Sequence, residues 1–293
     1  MVVLGTGNAN GGCSLLHAAG LGYGASLALD LPVKVRLLDK APKRVLEDQD
    51  GLLEAVLATW INSELPVPEG DLFWSVNSKI PPRQGLKSSA AVSIAAIKAL
   101  CSATEIELDN AQIVDIAAAA QLSSGVSLTG SYDDSWAAIE GGWKLIDINA
   151  EDARTGILLE SQGPTAEDWK VIIVLRGERN EKPSLDDFTF HQQAFAQALT
   201  ALQGGKELVA LTLNGRAIAG TLNDPDGRRM TNDAFVNGAR AAGISGSGPA
   251  IVIFAPAISK PTIERFIKWY DKFDDVEIIE TTVVNAELRV EDE

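Results

Sequence analysis

The stretch PPRQGLKSSAAVSIAAIKAL, residues 81–100, places two prolines, a glycine and two serines directly before a run of small apolar residues. The prolines cannot continue a helix, and Gly85 can adopt backbone conformations that other residues avoid. Ser88 or Ser89 can accept a hydrogen bond from the first free N–H groups of a helix. Because apolar residues then recur at helical spacing, the sequence predicts a helix that begins near Ser88.

Two interpretations of this junction are open. In the simpler one, it is the capped start of a core helix whose narrow apolar face packs in the interior. In the other, unpaired N–H groups, the positive end of the helix dipole, two hydroxyls and Lys87 converge on one point, which suits a phosphate group. The stretch alone does not decide between them.

Composition limits the classes of function. The chain has 293 residues, 46% of them hydrophobic, which favours two domains of ordinary size. A net charge of −15 argues against nucleic acid and anionic membrane surfaces as partners. Two cysteines and two histidines without ligand-like spacing indicate neither a disulfide scaffold nor a zinc site, and a reducing cytoplasm is the expected compartment. No stretch reaches the about 20 apolar residues of a membrane helix, and no signal peptide is predicted.

Periodicity predicts a mixture of strands and helices without strict alternation, which indicates an α+β fold. Strands are predicted at residues 25–38, 71–80, 169–175, 249–255 and 276–285. Further helices are predicted at residues 52–61, 109–122, 190–202, 206–219, 231–242 and 261–273. The most probable boundary between domains is the polar segment 149–168.

Three glycine-rich stretches are predicted as loops: GTGNANGG (5–12), PPRQGLKSSA (81–90) and GISGSGPA (243–250). They do not match two common nucleotide motifs. A P-loop requires adjacent glycine and lysine, but Leu86 separates Gly85 from Lys87. A dinucleotide fingerprint requires a third glycine where Asn10 stands, and only four residues precede GTGNAN as a strand.

The motifs instead resemble those of the GHMP kinase superfamily. PPRQGLKSSAA is similar to that family's ATP-phosphate loop, and GISGSGPAIVIF (243–254) resembles the third motif, whose backbone packs against the phosphate loop. TGSYDDSWAAIEGG (129–142) is similar to the segment with the catalytic aspartate, which lies seven positions before a glycine pair. Asp134 has that spacing to Gly141. Three motifs in the family's order are far more specific than any one of them.

Within the superfamily, GLKSS and GSYDDSW look most like archaeal shikimate kinase. The N-terminal stretch also resembles it, as a small-residue loop, a helix rich in small residues and a strand from about Ala25. The resemblance implies ATP- and Mg²⁺-dependent phosphorylation of the 3-hydroxyl of shikimate, a step of aromatic amino-acid biosynthesis. Homoserine and mevalonate also carry carboxylates, so their kinases remain alternatives. A catalytically silent ATP- or metabolite-binding homologue is a further alternative.

The resemblance also implies roles for individual residues. Asp134 would orient the substrate hydroxyl and accept its proton; alternatively, it is a turn aspartate before a strand-like SWAAIEGG. Asp133 would assist the metal, tune Asp134 by its like charge or be solvated. The residues expected to bind ATP, here called the phosphate loop, are Pro82, Arg83, Gln84, Gly85, Leu86, Lys87, Ser88, Ser89 and Ala90. The residues expected to support them, here called the supporting loop, are Ser245, Gly246, Ser247 and Gly248.

The expected metal site departs from the family pattern. Ser89 matches the hydroxyl that reaches Mg²⁺, but Ser123 stands eleven positions before Asp134, where the family usually has a metal-binding glutamate. A hydroxyl is a poorer partner than a carboxylate for this hard dication. Asp133, Glu140, or ATP phosphates with water would have to compensate, or activity would be weak.

The implied fold has two α+β domains, residues 1–160 and 161–293, with the active site in the cleft between them. A small carboxylated substrate requires a cation in that cleft. The candidates are Arg83, Arg228, Arg229 and Arg240. The sequence predicts no oligomeric state.

Overall fold

A computed structural model of the chain describes residues 1–43, 48, 50–130, 132–178 and 183–287. Described strands that end at or before Ser161 form one sheet, and those from Trp169 onward form another. Within these residues, no helix combines the length and apolar character needed to cross a membrane.

The first sheet is antiparallel and is built around one long strand. Its strands are β1 (Val3–Leu16), β2 (Tyr23–Leu38), β3 (Phe73–Ser78), β4 (Trp143–Asp147) and β5 (Ile157–Ser161). They lie in the order β1-β2-β4-β5, with β3 also on β2. The first part of β2 pairs with β4, from Tyr23 opposite Asp147, and the later part pairs with β3. Strand β2 therefore pairs with both β3 and β4 along the same edge.

Four helices accompany this sheet: α1 (Leu52–Asn62), α2 (Ser88–Thr104), α3 (Asn110–Ser123) and α4 (Tyr132–Glu140). The predicted start of α2 at Ser88 is confirmed. The predicted start of α3 is confirmed as well, because Asp109 and Gln112 form a reciprocal capping box there. The alanine-rich sequence of α2 leaves its inner face small, and Ile94, Ala95 and Ala99 on that face are fully buried.

The second sheet is also antiparallel, in the order β7-β8-β6-β9. Its strands are β6 (Trp169–Leu175), β7 (Ala241–Ile244), β8 (Ile251–Pro256) and β9 (Glu277–Thr281). The accompanying helices are α5 (Leu185–Thr189), α6 (Gln192–Gln203), α7 (Glu207–Thr221), α8 (Pro225–Val236) and α9 (Lys260–Tyr270). The central strands β6 and β8 are almost wholly buried, as expected for strands covered on both faces.

The two sheets give the predicted α+β, two-domain architecture. The chain passes from one sheet to the other between Ser161 and Trp169, and the boundary at residue 160 stays a prediction. After β9 the chain returns to the first sheet, where Val283 bridges Leu29 and the Asp30 N–H donates to Thr282 O over 2.9 Å. A continuous apolar core therefore joins both halves.

The first glycine-rich stretch is not the predicted loop. GTGNANGG lies within β1, and its glycines let the strand approach α2. A Cβ atom on Gly5 or Gly7 would lie 2.0 Å from the carbonyl oxygen of Ala99 or Ala95, respectively. The helix predicted to follow is only a 3-10 turn at Ala18–Gly20.

Other local predictions also need correction. SWAAIEGG is the body and end of α4, because Gly141 and Gly142 both have positive φ and terminate a helix rather than a strand. The helix predicted at 231–242 is displaced toward the N-terminus. It begins at Pro225, after the Asp224 side chain accepts a bond from Gly227 N–H over 2.8 Å, and ends at Val236. The short strands β4 and β5 were not predicted.

Candidate active site

A cleft of about 840 Å³ lies along the phosphate loop. Residues 82–89 form one wall, and Asp133 and Asp134 at the start of α4 lie in the same cleft. The lining also includes His17, residues 125–129, and Gly246 and Ser247 of the supporting loop. Ala90 is fully buried in α2 and does not line the cleft. The cleft thus unites segments that lie far apart in sequence.

The first turn of α2 opens into the cleft without a side-chain cap. Lys87 is the N-cap residue, with φ 67° and ψ 28°, and its side chain does not bond to the first turn. Contrary to expectation, neither Ser88 nor Ser89 is the N-cap, since both lie within the helix. The first N–H groups of a helix have no partner within the helix, and their dipole is positive. This end of α2 therefore has the character of an anion site.

The supporting loop and the nearby Ala250 hold the phosphate loop by hydrogen bonds to its backbone carbonyls. Ser245 Oγ donates to the Gly85 carbonyl over 2.7 Å, and Ala250 N–H donates to the Gln84 carbonyl over 3.2 Å. Gly85 has φ 78°, and a Cβ atom there would lie 2.1 Å from Ser245 O. The contact that the resemblance implied is present, and it explains why this position requires glycine.

Lys87 connects the phosphate loop to the paired aspartates. Its Nζ lies 2.6 Å from Asp134 Oδ1 and donates to Ser14 Oγ over 2.6 Å. Burial by itself lowers the pKa of Lys87, but the carboxylates of Asp134 and Asp133 outweigh it, so the pKa is raised and the ammonium stays charged. From the sequence, Lys87 was expected to add positive charge at the phosphate loop. In the structure, its ammonium group instead pairs with Asp134.

The two aspartates share one hydroxyl, and their pKa values are shifted in opposite directions. Ser26 Oγ is 2.6 Å from Asp134 Oδ1 and 3.0 Å from Asp133 Oδ2. Burial acts to raise the pKa of Asp134, but Lys87 and Ser26 lower it overall. Burial and the adjacent Asp134 raise the pKa of Asp133 to about 7. A serine hydroxyl has one proton, so Ser26 can donate to only one of the two carboxylates at a time.

Asp133 is 4% exposed, which rules out the alternative in which it is solvated. Gly24 faces it closely, because a Cβ atom on Gly24 would lie 2.6 Å from the Asp133 carboxylate. Asp133 and Asp134 lie close enough to shift each other's pKa, which fits the alternative in which Asp133 tunes Asp134.

The structure does not bring Ser123 or Glu140 to the cleft lining. Ser123 is exposed near the end of α3, and its hydroxyl donates to Ala120 O over 3.0 Å. Glu140 forms an ion pair with Lys144 over 2.9 Å. The polar group that reaches Ser89 from α3 is instead Gln121, whose Oε1 accepts from Ser89 Oγ over 3.3 Å. A glutamine within an alanine-rich helix was the signal available in the sequence.

A magnesium ion would find oxygen ligands here, but no complete protein cage. Across the described parts of the chain, no cluster of three or more His, Cys, Asp or Glu side chains is placed to hold a metal. Ser89 Oγ and the carboxylates of Asp133 and Asp134 line the cleft. Mg²⁺ usually keeps several waters and binds through one or two protein groups plus substrate phosphates. These residues therefore fit a metal that arrives with a nucleotide.

His17 was missed by sequence reasoning, although it is one of two histidines in the chain. Ala19 N–H donates to His17 Nδ1 over 3.2 Å, and Nε2 lies 3.3 Å from Ser247 Oγ. Because Nδ1 accepts this bond, the neutral ring carries its proton on Nε2. The charged form of His17 would also lower the pKa of Asp134, and both residues line the cleft.

The four arginine candidates separate clearly. Arg83 lines the cleft and pairs with Asp50 at 3.7 Å and Glu178 at 3.8 Å. The other three are exposed and do not line the cleft: Arg228, Arg229 and Arg240.

Comparisons with known proteins point to the same family as the sequence motifs. Residues 52–142 match the family model described as GHMP kinases N terminal domain. A protein named shikimate kinase from Methanothermobacter thermautotrophicus is 29% identical, over 99% of this chain and 99% of that protein.

Solved structures share the fold at lower identity. Mevalonate kinase from Methanococcus jannaschii has a TM-score of 0.73 at 17% identity, covering 96% of this chain and 98% of that one. Homoserine kinase from Cytophaga hutchinsonii has a TM-score of 0.65 at 17% identity, covering 96% of each chain. With three similar motifs assembled around one cleft, the chain resembles the GHMP kinase superfamily in its N-terminal domain and in its fold.

Proposed function

We propose that the chain is a shikimate kinase, which transfers the γ-phosphoryl group of MgATP to the 3-hydroxyl of shikimate. The observation that carries the proposal is the single cleft in which the open end of α2 and the Lys87–Asp134 pair lie together. The full-length similarity to a protein named shikimate kinase supports the choice of acceptor. The two cysteines of this chain, Cys13 and Cys101, are free thiols, which suits a reducing cytoplasm.

The phosphate loop would supply the nucleotide side of the site. The first N–H groups of α2 can bind phosphate oxygens, and Ser89 Oγ can serve as a ligand to Mg²⁺. The metal, when bound with ATP, neutralises charge on the phosphates. Because Ala250 and Ser245 bond to the carbonyls of Gln84 and Gly85, the N–H donors of the first turn of α2 are held in place before the nucleotide binds.

Asp134 would act on the acceptor. The oxygen of the substrate hydroxyl forms a bond to the γ-phosphorus while the bond to the β–γ bridging oxygen breaks, and the hydroxyl proton passes to the Asp134 carboxylate. A carboxylate with a lowered pKa is a weak base, so it takes the proton only as the new O–P bond forms. The main role of Asp134 is to orient the substrate hydroxyl, while Lys87 stabilises negative charge beside the Asp134 carboxylate.

The direct test is ADP release with MgATP and each of three acceptors: shikimate, homoserine and mevalonate. We expect turnover with shikimate, and ³¹P NMR of the product should show phosphate on the 3-oxygen. Preference for homoserine or mevalonate would overturn the choice of shikimate as substrate and leave the kinase assignment intact. Nucleotide binding without turnover of any acceptor would favour a silent homologue.

The matched variant is Asp134→Asn, which keeps the size of the side chain but cannot accept a proton. We expect kcat to fall about 10²-fold or more, with the affinity for MgATP nearly unchanged. If Asp133→Asn instead abolishes turnover while Asp134→Asn stays active, the roles of the two aspartates are reversed.

A further inference from the structure

We infer that Gln121 is a positioning residue for the metal: it orients the Ser89 hydroxyl so that its oxygen faces Mg²⁺, in place of the missing family glutamate. This inference rests on the proposed function, because it requires MgATP in the cleft. It does not follow from motif spacing, which points to Ser123, a residue exposed at the end of α3.

Gln121 connects three helices at the base of the site. The side chain is fully buried. Its Oε1 accepts from Ser89 Oγ of α2 over 3.3 Å, while its Nε2 donates to Ser135 Oγ of α4 over 3.1 Å and to Ala117 O over 3.2 Å. Ser135 directly follows Asp134 in sequence. The amide thus links Ser89, the proposed metal ligand, to the helix that carries Asp134.

The direction of these bonds determines what Ser89 offers to the cleft. A serine hydroxyl has one proton and two acceptor lone pairs. Because the proton of Ser89 is directed to Gln121 Oε1, the lone pairs are left for other partners, and Ser89 itself lines the cleft. An oxygen presented in this way suits a hard dication such as Mg²⁺. Without Gln121, the hydroxyl could rotate and direct its proton toward the metal.

An amide also fits this position better than a carboxylate. Nε2 donates to two acceptors, Ala117 O and Ser135 Oγ, and a glutamate could donate to neither when ionised. An ionised carboxylate buried without a partner would be costly before the metal bound. The glutamine therefore keeps the site satisfied in the empty state and leaves direct metal contact to Ser89, phosphates and water.

The experiment is a double-mutant cycle with Ser89→Ala, Gln121→Ala and the double variant. The half-saturating Mg²⁺ concentration is measured for turnover, and ATP affinity is measured by calorimetry with and without Mg²⁺. We expect each single variant to raise the Mg²⁺ requirement about tenfold, with metal-free ATP binding unchanged. The double variant should be no worse than either single variant, since both remove the same oriented oxygen.

Two further variants separate positioning from packing. Gln121→Glu restores an oxygen acceptor for Ser89 and should recover Mg²⁺-dependent ATP binding relative to Gln121→Ala. Ser93→Ala is the control, because Ser93 is buried in α2 with a hydroxyl that has no partner among the residues described. It should leave the Mg²⁺ titration unchanged.

Additive effects in the cycle, or a lower melting temperature for Gln121→Ala with an unchanged Mg²⁺ titration, would overturn the inference. Failure of the proposed function is a separate result: wild-type protein would then turn over no acceptor. The calorimetric comparison with and without Mg²⁺ would still test Gln121 in that case.

Discussion

At the scale of single residues, Lys87 is the most informative position. It adopts a left-handed backbone conformation, which costs a residue with a Cβ atom about 1–2 kcal/mol. Its side chain is also buried, at 7% exposure. Both features are unfavourable by themselves, and the ion pair with Asp134 offsets them. Strain that is maintained in this way is typical of functional sites.

Asp133→Asn is expected to change how stability depends on pH. Because the pKa of Asp133 is raised from 3.8 to about 7 by burial and Asp134, the folded protein holds a proton that the unfolded chain releases. The stabilisation from this group is full below about pH 4 and is lost as the pH rises through about 7. Asparagine has no such proton, so Tm of the variant should rise relative to wild type between about pH 4 and about pH 7. Parallel Tm curves would contradict the protonated Asp133.

His17→Phe should weaken binding of the acceptor more than binding of ATP. Phenylalanine keeps a ring against Phe188, whose centroid lies 4.6 Å from that of His17, but it loses the Nε2 donor. A lost hydrogen bond of about 1 kcal/mol raises KM several-fold. We expect this change in KM for shikimate with KM for ATP unchanged. The control is His191→Phe, outside the cleft lining; a selective change in KM for ATP would place His17 on the nucleotide side.

At the scale of elements, the position of α2 depends on how closely β1 approaches it. Gly5 and Gly7 on the strand face the carbonyls of Ala99 and Ala95 on the helix, with no room for a Cβ atom. The helix therefore lies against the backbone of the strand, and its first turn is held at the cleft. The supporting loop fixes the other side of that turn through Ser245.

Gly7→Ala should damage stability and nucleotide binding together. The new methyl group would lie 2.0 Å from the Ala95 carbonyl, so strand or helix must move. Overpacking of this kind costs about 1–3 kcal/mol. We expect a lower Tm and a raised KM for MgATP. Gly204→Ala is the control, since its nearest neighbour, Thr200 O, lies at an ordinary 3.4 Å; equal effects of the two substitutions would contradict the close-approach argument.

At the scale of the whole molecule, the segment after β9 holds the two halves together. Asn285 uses both ends of its amide on the connection between the sheets: Nδ2 donates to Gln162 O at 2.8 Å and Pro164 O at 2.9 Å, and Oδ1 accepts from Ala166 N–H at 3.1 Å. Since the active-site cleft takes residues from both halves, this clamp also helps to set its geometry.

Asn285→Ala is therefore expected to destabilise the whole protein. Loss of three hydrogen bonds at about 1 kcal/mol each predicts a fall in Tm of several degrees. Asn232→Ala, at an exposed position in α8, should leave Tm unchanged. If only one half of the protein melts earlier in the Asn285 variant, as a separate calorimetric transition, the clamp does not couple the two halves.

Local sequence determined the helices with clear start signals and the order of the motifs. The start of α2 at Ser88 and the capping box of α3 follow from nearest neighbours along the chain, so they were predictable. The resemblance to the family's motif, through the spacing to Gly141, pointed to Asp134, whose carboxylate contacts Lys87 and Ser26. These features require no knowledge of distant contacts.

Only the tertiary structure decided the rest, because it depends on residues far apart in sequence. GTGNANGG has the composition of a loop, yet packing against α2 makes it a strand. Lys87 has the sequence context of a phosphate ligand, yet in the structure its ammonium group forms an ion pair with Asp134, one of two neighbouring buried aspartates. Gln121 and His17 join the site because helix and strand packing places them there, and such contacts leave no periodic signal in the chain.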